Sequence, residues 1–326
     1  MNKQDDAAMF LICSGANINI KSFNGKTPFN LATEIGSDLL IAELKKRDAD
    51  DTPYTFPNIS GNYLGMKEPG VTPEIFAPGI ISALTYDHSV PAFLQDYTEV
   101  YWSEAYDRIM FMKQIDEKWT APEQAPFSIY GMDANIVSSP DGNRLYFLSK
   151  RPVDGTDESK YNMWYVEEVD GRWSAPKTLG KEINSYKMNH HFSIAENGTL
   201  YFGGDDIYFS KFSDGQFQRA VKLGEEINTE HYEFSPFISS DESFIIFSRY
   251  FDGGSIPYIS FCDEKNEWGE SVRLNKFIPF VSEFYSCNLS PDGKYFFYAN
   301  GQSSDMDIYW VDAKFITELK PKNTNK

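Results

Sequence analysis

Imidazole and carboxylate side chains recur at one point of a repeated pattern in this sequence, just ahead of the segments predicted to be the innermost strands of each repeat. All four histidines lie at this point, together with three acidic residues. The candidate site residues are His88, Asp133, His190, His191, His231, Glu233 and Glu283. Imidazole nitrogens and carboxylate oxygens are common ligands of divalent cations. We therefore predict a ligand or divalent-cation site, with His190, His231 and Glu233 as candidate metal ligands. The alternative is that these polar residues only line a water-filled channel.

The elements that must position these residues are strands, because 16% of the 326 residues are aromatic, with 20 Tyr and 26 Phe. The clearest unit is Ser290–Tyr298, in which Ser-Pro-Asp-Gly precedes an aromatic run. Pro presets the first turn position, Asp bonds the backbone two residues on, and Gly accepts the positive φ. Four further copies, more or less eroded, begin at Ser139, Ala195, Ser239 and Leu94. The unit is thus predicted to occur five times.

A third strand is predicted after each turn and second strand. The five third strands are Ile109–Lys113, Met163–Glu167, Ile207–Lys211, Tyr258–Cys262 and Ile308–Asp312. An aromatic residue follows the first four at a constant offset, at Trp119, Trp173, Phe217 and Trp268. Constant spacing within units of variable length is typical of four-stranded sheets repeated radially. We predict an all-β chain forming a β-propeller of five blades, with six as the alternative, and expect these aromatics to pack between blades.

The fifth unit lacks its outer strand, and a matching segment lies near the start of the chain. Residues 72–82 echo the outer-strand segment Trp173–Ser185, whereas Lys314–Lys320 resembles a short helical turn. We predict that 72–82 completes the last blade and so closes the ring, which removes an exposed sheet edge.

Residues 1–50 have helical periodicity and end at a polar break. Thr27 is placed to cap a helix that Pro28 begins, and a second helix is expected from about Ser37 to Lys46. With its Gly-rich turn and Thr-Pro, this segment resembles an ankyrin repeat, of which it covers about one and a half copies. We divide the chain into this fragment (1–50), a linker and lead-in (51–71) and the propeller (72–326).

The Ser-Pro-Asp-Gly turns, the Asp-Ile-Tyr third strands at Asp206–Tyr208 and Asp307–Tyr309, and the Trp-Ser/Thr-x-Pro outer strands make residues 54–320 similar to the TolB-like family of WD-type propeller repeats. The resemblance implies the fold and says little about activity, since the family includes scaffold proteins, peptidase lids and lyases.

The net charge and the hydrophobic pattern disfavour some classes of partner and location. The net charge of -18 disfavours nucleic acid and anionic membrane as partners, and no run approaches the roughly 20 apolar residues of a membrane span. The three scattered cysteines are expected to be free thiols. The start of the sequence has no secretory pattern, so a cytoplasmic location is predicted. The periplasm is the alternative if the natural N-terminus lies elsewhere.

Nucleophile-elbow, phosphate-loop and His-Glu-x-x-His motifs are absent from the sequence. We predict a non-enzymatic propeller that binds a protein partner or a small or carbohydrate ligand at one face of the ring. The alternative is a carbohydrate-active hydrolase or lyase with its site at the channel mouth, which would need two facing carboxyl groups.

Overall fold

The chain forms a five-bladed β-propeller preceded by a few short helices, as seen in a computed structural model. The structure describes residues 3–82, 89–153, 160–186, 191–278, 283–302 and 305–321. The five blades confirm the number predicted from the sequence.

Each blade is an antiparallel sheet in which the chain runs outward from the central channel. In order from blade 1 to blade 5, the innermost strands are Ala92–Phe93, Asp133–Ser138, Phe192–Ile194, Tyr232–Ile238 and Glu283–Leu289. The second strands are Glu99–Glu104, Arg144–Ser149, Leu200–Gly203, Phe244–Phe251 and Tyr295–Gln302. The third strands are Arg108–Ile115, Asn162–Val169, Ile207–Ser210, Gly254–Phe261 and Asp305–Asp312.

The outer positions are filled by short strands that pair with the third strands. They are Glu123–Gln124, Lys177–Thr178, Val221–Lys222, Val272–Arg273 and, in the fifth blade, Glu74–Ile75. Short hairpin strands extend three blades at Lys118–Trp119, Arg172–Trp173, and the pair Phe212–Ser213 and Gln216–Phe217. Helical turns lie at Lys181–Asn184 and at Lys314–Leu319, the second of which confirms the prediction for the end of the chain.

The turns between first and second strands have the chemistry that the sequence predicts. In the fifth blade the Gly293 amide donates to the Ser290 carbonyl at 2.8 Å, and the Lys294 amide donates to the Asp292 carboxylate at 3.2 Å. The fourth turn position has φ of 69° at Gly293. The eroded copies keep this backbone without glycine, since Glu242 has φ of 57° and Tyr97 has φ of 58°. Turn geometry is thus retained where the sequence signal is weak.

The hydrophobic core consists of one cluster at each junction between neighbouring blades. Blades 2 and 3, for example, share a cluster that contains Tyr146, Met163, Phe202 and Phe217. Trp119, Trp173 and Trp268 pack in or against the other junction clusters, so the predicted inter-blade role of the repeated aromatics is confirmed. The ring is held by these junctions, because each sheet buries both of its faces against a neighbour.

The predicted ring closure is also confirmed. Glu74 pairs with Trp310 and Ile75 with Tyr309, so the lead-in segment supplies the outer strand of blade 5. Phe76 is fully buried at this seam, and its amide donates to the Ile308 carbonyl at 2.7 Å.

A second strand of the lead-in, which the sequence did not predict, attaches to blade 1. Ile59–Ser60 pairs with Lys118–Trp119, and the Trp119 indole donates to the Gly61 carbonyl at 2.8 Å. Between the two strands, the Tyr63 hydroxyl lies 2.9 Å from that of Tyr97 and donates to Asp292 at 3.1 Å. The lead-in therefore contacts both blades that meet where the ring closes, blade 5 and blade 1.

The N-terminal helices are Lys3–Cys13, Pro28–Glu34 and Asp38–Lys46. Thr27 forms a capping box with Asn30, and Pro28 begins the second helix, as predicted. The helices share a small core that includes Ile12, Phe29 and Leu44. Their existence is confirmed, whereas an ankyrin-like identity is not shown. None of the helices in the described part of the chain has the length and apolarity required to cross a membrane.

Candidate functional site

A cavity of about 510 Å³ lies in the central channel and is lined by all five innermost strands and their turns. Exposed turn residues form one end of its lining: Gln95, Asp141, Glu196, Ser240 and Gly293. At the other end the lining residues are buried, except for the half-buried His191, and they include Ser89, Asn135, Ser235 and Ser286. The cavity therefore opens on the face of the ring that carries the turns.

The cavity wall combines hydroxyl, amide and apolar groups. Ser138, Ser193 and Asn288 contribute polar side chains, whereas Ile136, Phe192 and Phe237 contribute apolar surface. Among the described lining residues there is no Lys or Arg, and the carboxylates, Asp141 and Glu196, stand at the exposed rim. Such a wall suits an uncharged ligand, or one whose positive end remains at the rim.

Three blades, 2, 4 and 5, shift register between their first two strands at the deep end of this wall, and in blade 5 the shift lies between Phe284 and Cys287. The pairing of the first two strands shifts register between Ala134 and Val137 in blade 2, and between Phe234 and Phe237 in blade 4. Within these bulges Asn135 has φ of 52° and Ser235 has φ of 54°. A left-handed backbone is unfavourable for a residue with a β-carbon, so each of these two residues carries some backbone strain.

Asp133, predicted as a site residue, is fully buried at the junction of blades 1 and 2. Its carboxylate lies 2.9 Å from the Arg151 guanidinium and accepts a hydrogen bond from Ser128 at 2.9 Å. Arg151 also donates to the Phe127 carbonyl at 2.5 Å. Burial raises the pKa of the Asp133 carboxyl, against the opposing effects of Ser149, Arg151 and Ser128. The pair thus joins blade 2 to the loop that leaves blade 1.

Glu233 has the same arrangement in blade 4, where it is also fully buried. It lies 2.6 Å from the guanidinium of Arg249 and accepts hydrogen bonds from the amide and the hydroxyl of Thr229, at 3.1 and 2.5 Å. Arg249 donates to the Ile227 carbonyl at 3.1 Å and lies 4.3 Å from the centre of the Tyr258 ring. Blades 2 and 4 therefore each contain a buried Arg–carboxylate pair whose arginine also donates to a carbonyl of the preceding loop, and we call this arrangement a bracket.

The remaining predicted residues are dispersed. His191 lines the deep part of the cavity, whereas His231 is exposed, with its ring centre 4.5 Å from that of Phe251. Glu283 is half-buried and accepts a hydrogen bond from the Tyr285 hydroxyl at 2.7 Å. His88 and His190 lie outside the described residues. Within the described ranges, no three His, Cys, Asp or Glu side chains are grouped so that they could hold a metal ion.

Sequence reasoning missed the two arginines of the brackets and the bulge residues Asn135 and Ser235. A signal for the arginines exists: Arg151 follows the second strand of blade 2, and Arg249 lies two residues before the end of the second strand of blade 4. The first strands of these blades have Asp133 and Glu233 within their first two residues. The bulges have no comparable signal, since neither Ser nor Asn is restricted to a left-handed backbone.

Comparison with known proteins finds only distant structural similarity. No protein-family model matches the sequence, and no curated protein matches it. Among solved structures, a protein assigned as TolB from Agrobacterium tumefaciens has 14% identity and a TM-score of 0.47, covering 69% of this chain and 76% of that one.

TolB from Acinetobacter baumannii has 16% identity and a TM-score of 0.42, covering 68% of this chain and 53% of that one. A gluconolactonase from Xanthomonas campestris has 11% identity and a TM-score of 0.41, with 79% and 98% covered. At these identities and TM-scores the similarity carries no argument about the family or the function of this chain.

Proposed function

We propose that this protein is a non-enzymatic binding propeller whose ligand enters the central channel from the face that carries the turns. The observation that carries the proposal is the cavity of about 510 Å³ walled by all five blades. Small-molecule sites are typically concave, measure roughly 300–1,000 Å³ and combine apolar surface with a few polar groups. The channel wall has this size and composition.

The charge distribution indicates which ligands fit. With carboxylates at the rim and neither Lys nor Arg in the described lining, an anionic ligand would enter against repulsion and find no ammonium or guanidinium group to pair with. The net charge of -18 acts in the same direction. An uncharged ligand such as a short saccharide, or a basic peptide end held at the rim, is favoured.

The alternative function, a carbohydrate-active hydrolase or lyase, requires two carboxyl groups that face each other across the bound sugar. In the described lining the carboxylates are Asp141 and Glu196. Asp141 accepts hydrogen bonds from Ser139 at 2.5 Å and from the Asn143 amide at 3.1 Å, which fixes it in its own turn. A binding function therefore agrees better with the wall than catalysis does.

We also propose residues 1–50 as a second contact, with a protein partner. Phe10 and Leu11 are 71% and 57% exposed on the first helix, and Ile35 is 59% exposed beyond the second. A partner that covered these side chains would remove apolar surface from water, which favours association.

The channel proposal is tested by titrating the intact protein with neutral, basic and acidic probes. Cellobiose and maltose represent uncharged saccharides, lysyl-lysine a basic peptide and glucuronate an anion. We expect saturable calorimetric binding of a neutral or basic probe, none of glucuronate, and loss of binding in Ser138→Trp, which places an indole in the cavity. Equal binding by wild type and Ser138→Trp would contradict a site in the channel, as would binding of none of the probes.

A further inference from the structure

A second concave site lies beside blade 4, between its outer strand and the loop that arrives from blade 3. It is a cleft of about 570 Å³, and its described lining shares no residue with that of the channel cavity. The lining includes four exposed charged residues, Glu225, Glu226, Glu270 and Arg273. The buried residues Arg249 and Tyr258 lie behind them in the same lining.

The guanidinium of Arg273 is held in one orientation but has no carboxylate partner. Its Nε donates to the Tyr258 hydroxyl at 2.7 Å, and the group lies 5.3 Å from the centre of the Phe251 ring. The two terminal nitrogens form no hydrogen bond or ion pair with any residue that the structure describes. Because only Nε is occupied, both terminal nitrogens can donate to the two oxygens of one carboxylate.

Blade 3 shows how the same position is satisfied when a carboxylate is present. Lys222 corresponds to Arg273, since each ends its outer strand and lies opposite a tyrosine of the third strand. The Lys222 ammonium lies 2.7 Å from the carboxylate of Asp206, two residues before that tyrosine. Blade 4 has Ile256 at the place of Asp206, so the chain itself supplies no such partner to Arg273.

The carboxylates on the cleft wall indicate what else the ligand must carry. Glu225, Glu226 and Glu270 form no ion pair or hydrogen bond within the described part of the chain. The charge of Arg249 is already balanced by Glu233 at 2.6 Å. A simple anion would therefore be repelled by the glutamates, whereas a simple cation would leave the guanidinium unpaired. A ligand with a carboxylate at one end and ammonium groups beside it complements both sets of charges.

We propose that this cleft binds a basic amino acid, with its carboxylate on the terminal nitrogens of Arg273 and its ammonium groups facing the glutamates. Pairing of a guanidinium with a carboxylate through two parallel hydrogen bonds is both strong and geometrically selective. The ligand would supply to blade 4 the carboxylate that Asp206 supplies to Lys222 in blade 3. This site is separate from the channel and does not rest on the function proposed for it.

The test is calorimetric titration of the intact protein with L-lysine, with cadaverine, which lacks the carboxylate, and with glutarate, which lacks the ammonium groups. We expect saturable binding of lysine, at least about tenfold weaker binding of cadaverine, and none of glutarate. Arg273→Met should weaken lysine binding about tenfold and leave the affinity for cadaverine within about twofold, whereas Glu225→Gln/Glu226→Gln should weaken both. Lys222→Met is the matched control and should change the affinity for lysine less than about twofold, because this ammonium is already paired.

Ser138→Trp distinguishes the cleft from the channel, because the indole would fill the channel cavity and should leave lysine binding unchanged. Absence of lysine binding, equal affinities for lysine and cadaverine, or wild-type affinity in Arg273→Met would overturn the inference and leave the channel proposal untouched. Loss of lysine binding in Ser138→Trp would also overturn it, since the ligand would then lie in the channel. Should Arg273→Met fold poorly, Arg273→Lys provides the comparison: an ammonium cannot form the two parallel bonds, so the affinity for lysine should fall about threefold.

Discussion

Replacing Arg249 by Met should destabilise the propeller by about 3–5 kcal/mol. The guanidinium of Arg249 lies 2.6 Å from the fully buried carboxylate of Glu233 and donates to the Ile227 carbonyl. Its loss would leave a buried carboxylate without its ion-pair partner, and among the described residues Thr229 would remain as its hydrogen-bond donor. Such an uncompensated charge is far more costly than the loss of an ion pair at the surface.

Urea unfolding followed by tryptophan fluorescence measures the effect, and the double variant Glu233→Gln/Arg249→Met isolates its cause. Because the amide of Gln is uncharged, the double variant should recover at least half of the lost stability. Arg144→Met is the control, since Arg144 pairs with Glu167 at 2.7 Å but is about one-third exposed, so the cost should stay below about 1 kcal/mol. A cost of under about 1 kcal/mol for Arg249→Met, or no recovery in the double variant, would refute the bracket interpretation.

Four further predictions concern the seam, the N-terminal helices and the histidines. Despite partial burial, hydrogen bonds from Lys294, Ser290 and Tyr63 lower the pKa of Asp292 to about 2. The ionised carboxylate therefore contributes fully to folding stability above the ordinary carboxyl pKa, and this contribution is lost as the pH falls toward 2. After a discount for solvent screening, Asp292→Asn should cost about 1 kcal/mol at pH 7 and nearly nothing at about pH 2, by unfolding at both pH values. Deleting residues 54–82 should open the ring and cause aggregation through the exposed strand edge; a monomer with unchanged melting in size-exclusion and thermal assays would contradict closure. Removing residues 1–50 should lower the melting temperature of the propeller by no more than a few degrees, because the helices have their own core; a larger drop would show that they are docked. For the predicted cation site, titration with Mn²⁺, Zn²⁺ or Ca²⁺ should show saturable binding that weakens on acidification, since protonated imidazole cannot bind a metal. The binding should be lost in the double variant His190→Ala/His231→Ala. If neither protein binds any of these ions, the histidines are not metal ligands.

The repeat and its closure could be predicted because both depend on local chemistry. The turn at Ser290–Gly293 needs Pro, Asp and Gly at fixed positions, and the aromatic strands that follow need the period of a sheet. Residues 72–82 could be assigned to blade 5 because they resemble outer strands elsewhere in the chain. By contrast, Ile59–Ser60 is too short to leave a pattern, and it is a strand only because blade 1 offers an edge to pair with.

The side chains of the candidate site were harder to predict, because their direction depends on contacts between blades. Asp133 and Glu233 lie at the starts of inner strands, close to where the sequence placed them, yet their carboxylates pair with Arg151 and Arg249 near the end of the next strand. The bulge at Ser235 shifts the register of the inner strand, and a shift of one residue exchanges the faces on which side chains lie. Position in the repeat therefore predicts the neighbourhood of a residue but not whether it faces the channel.

A ligand-protection measurement on Cys287 tests the channel site most directly. Cys287 lines the cavity and Cys13 is exposed on the first helix, so one protein carries both a reporter and an internal control. Burial raises the pKa of the Cys287 thiol, so labelling with a small thiol reagent should be slow and is best followed at about pH 9 by mass spectrometry of the peptides. We predict that a saturating neutral saccharide, or the tightest-binding basic probe, slows modification of Cys287 severalfold and leaves Cys13 unchanged. Unchanged labelling of Cys287 at saturation would place the bound ligand elsewhere and contradict the account.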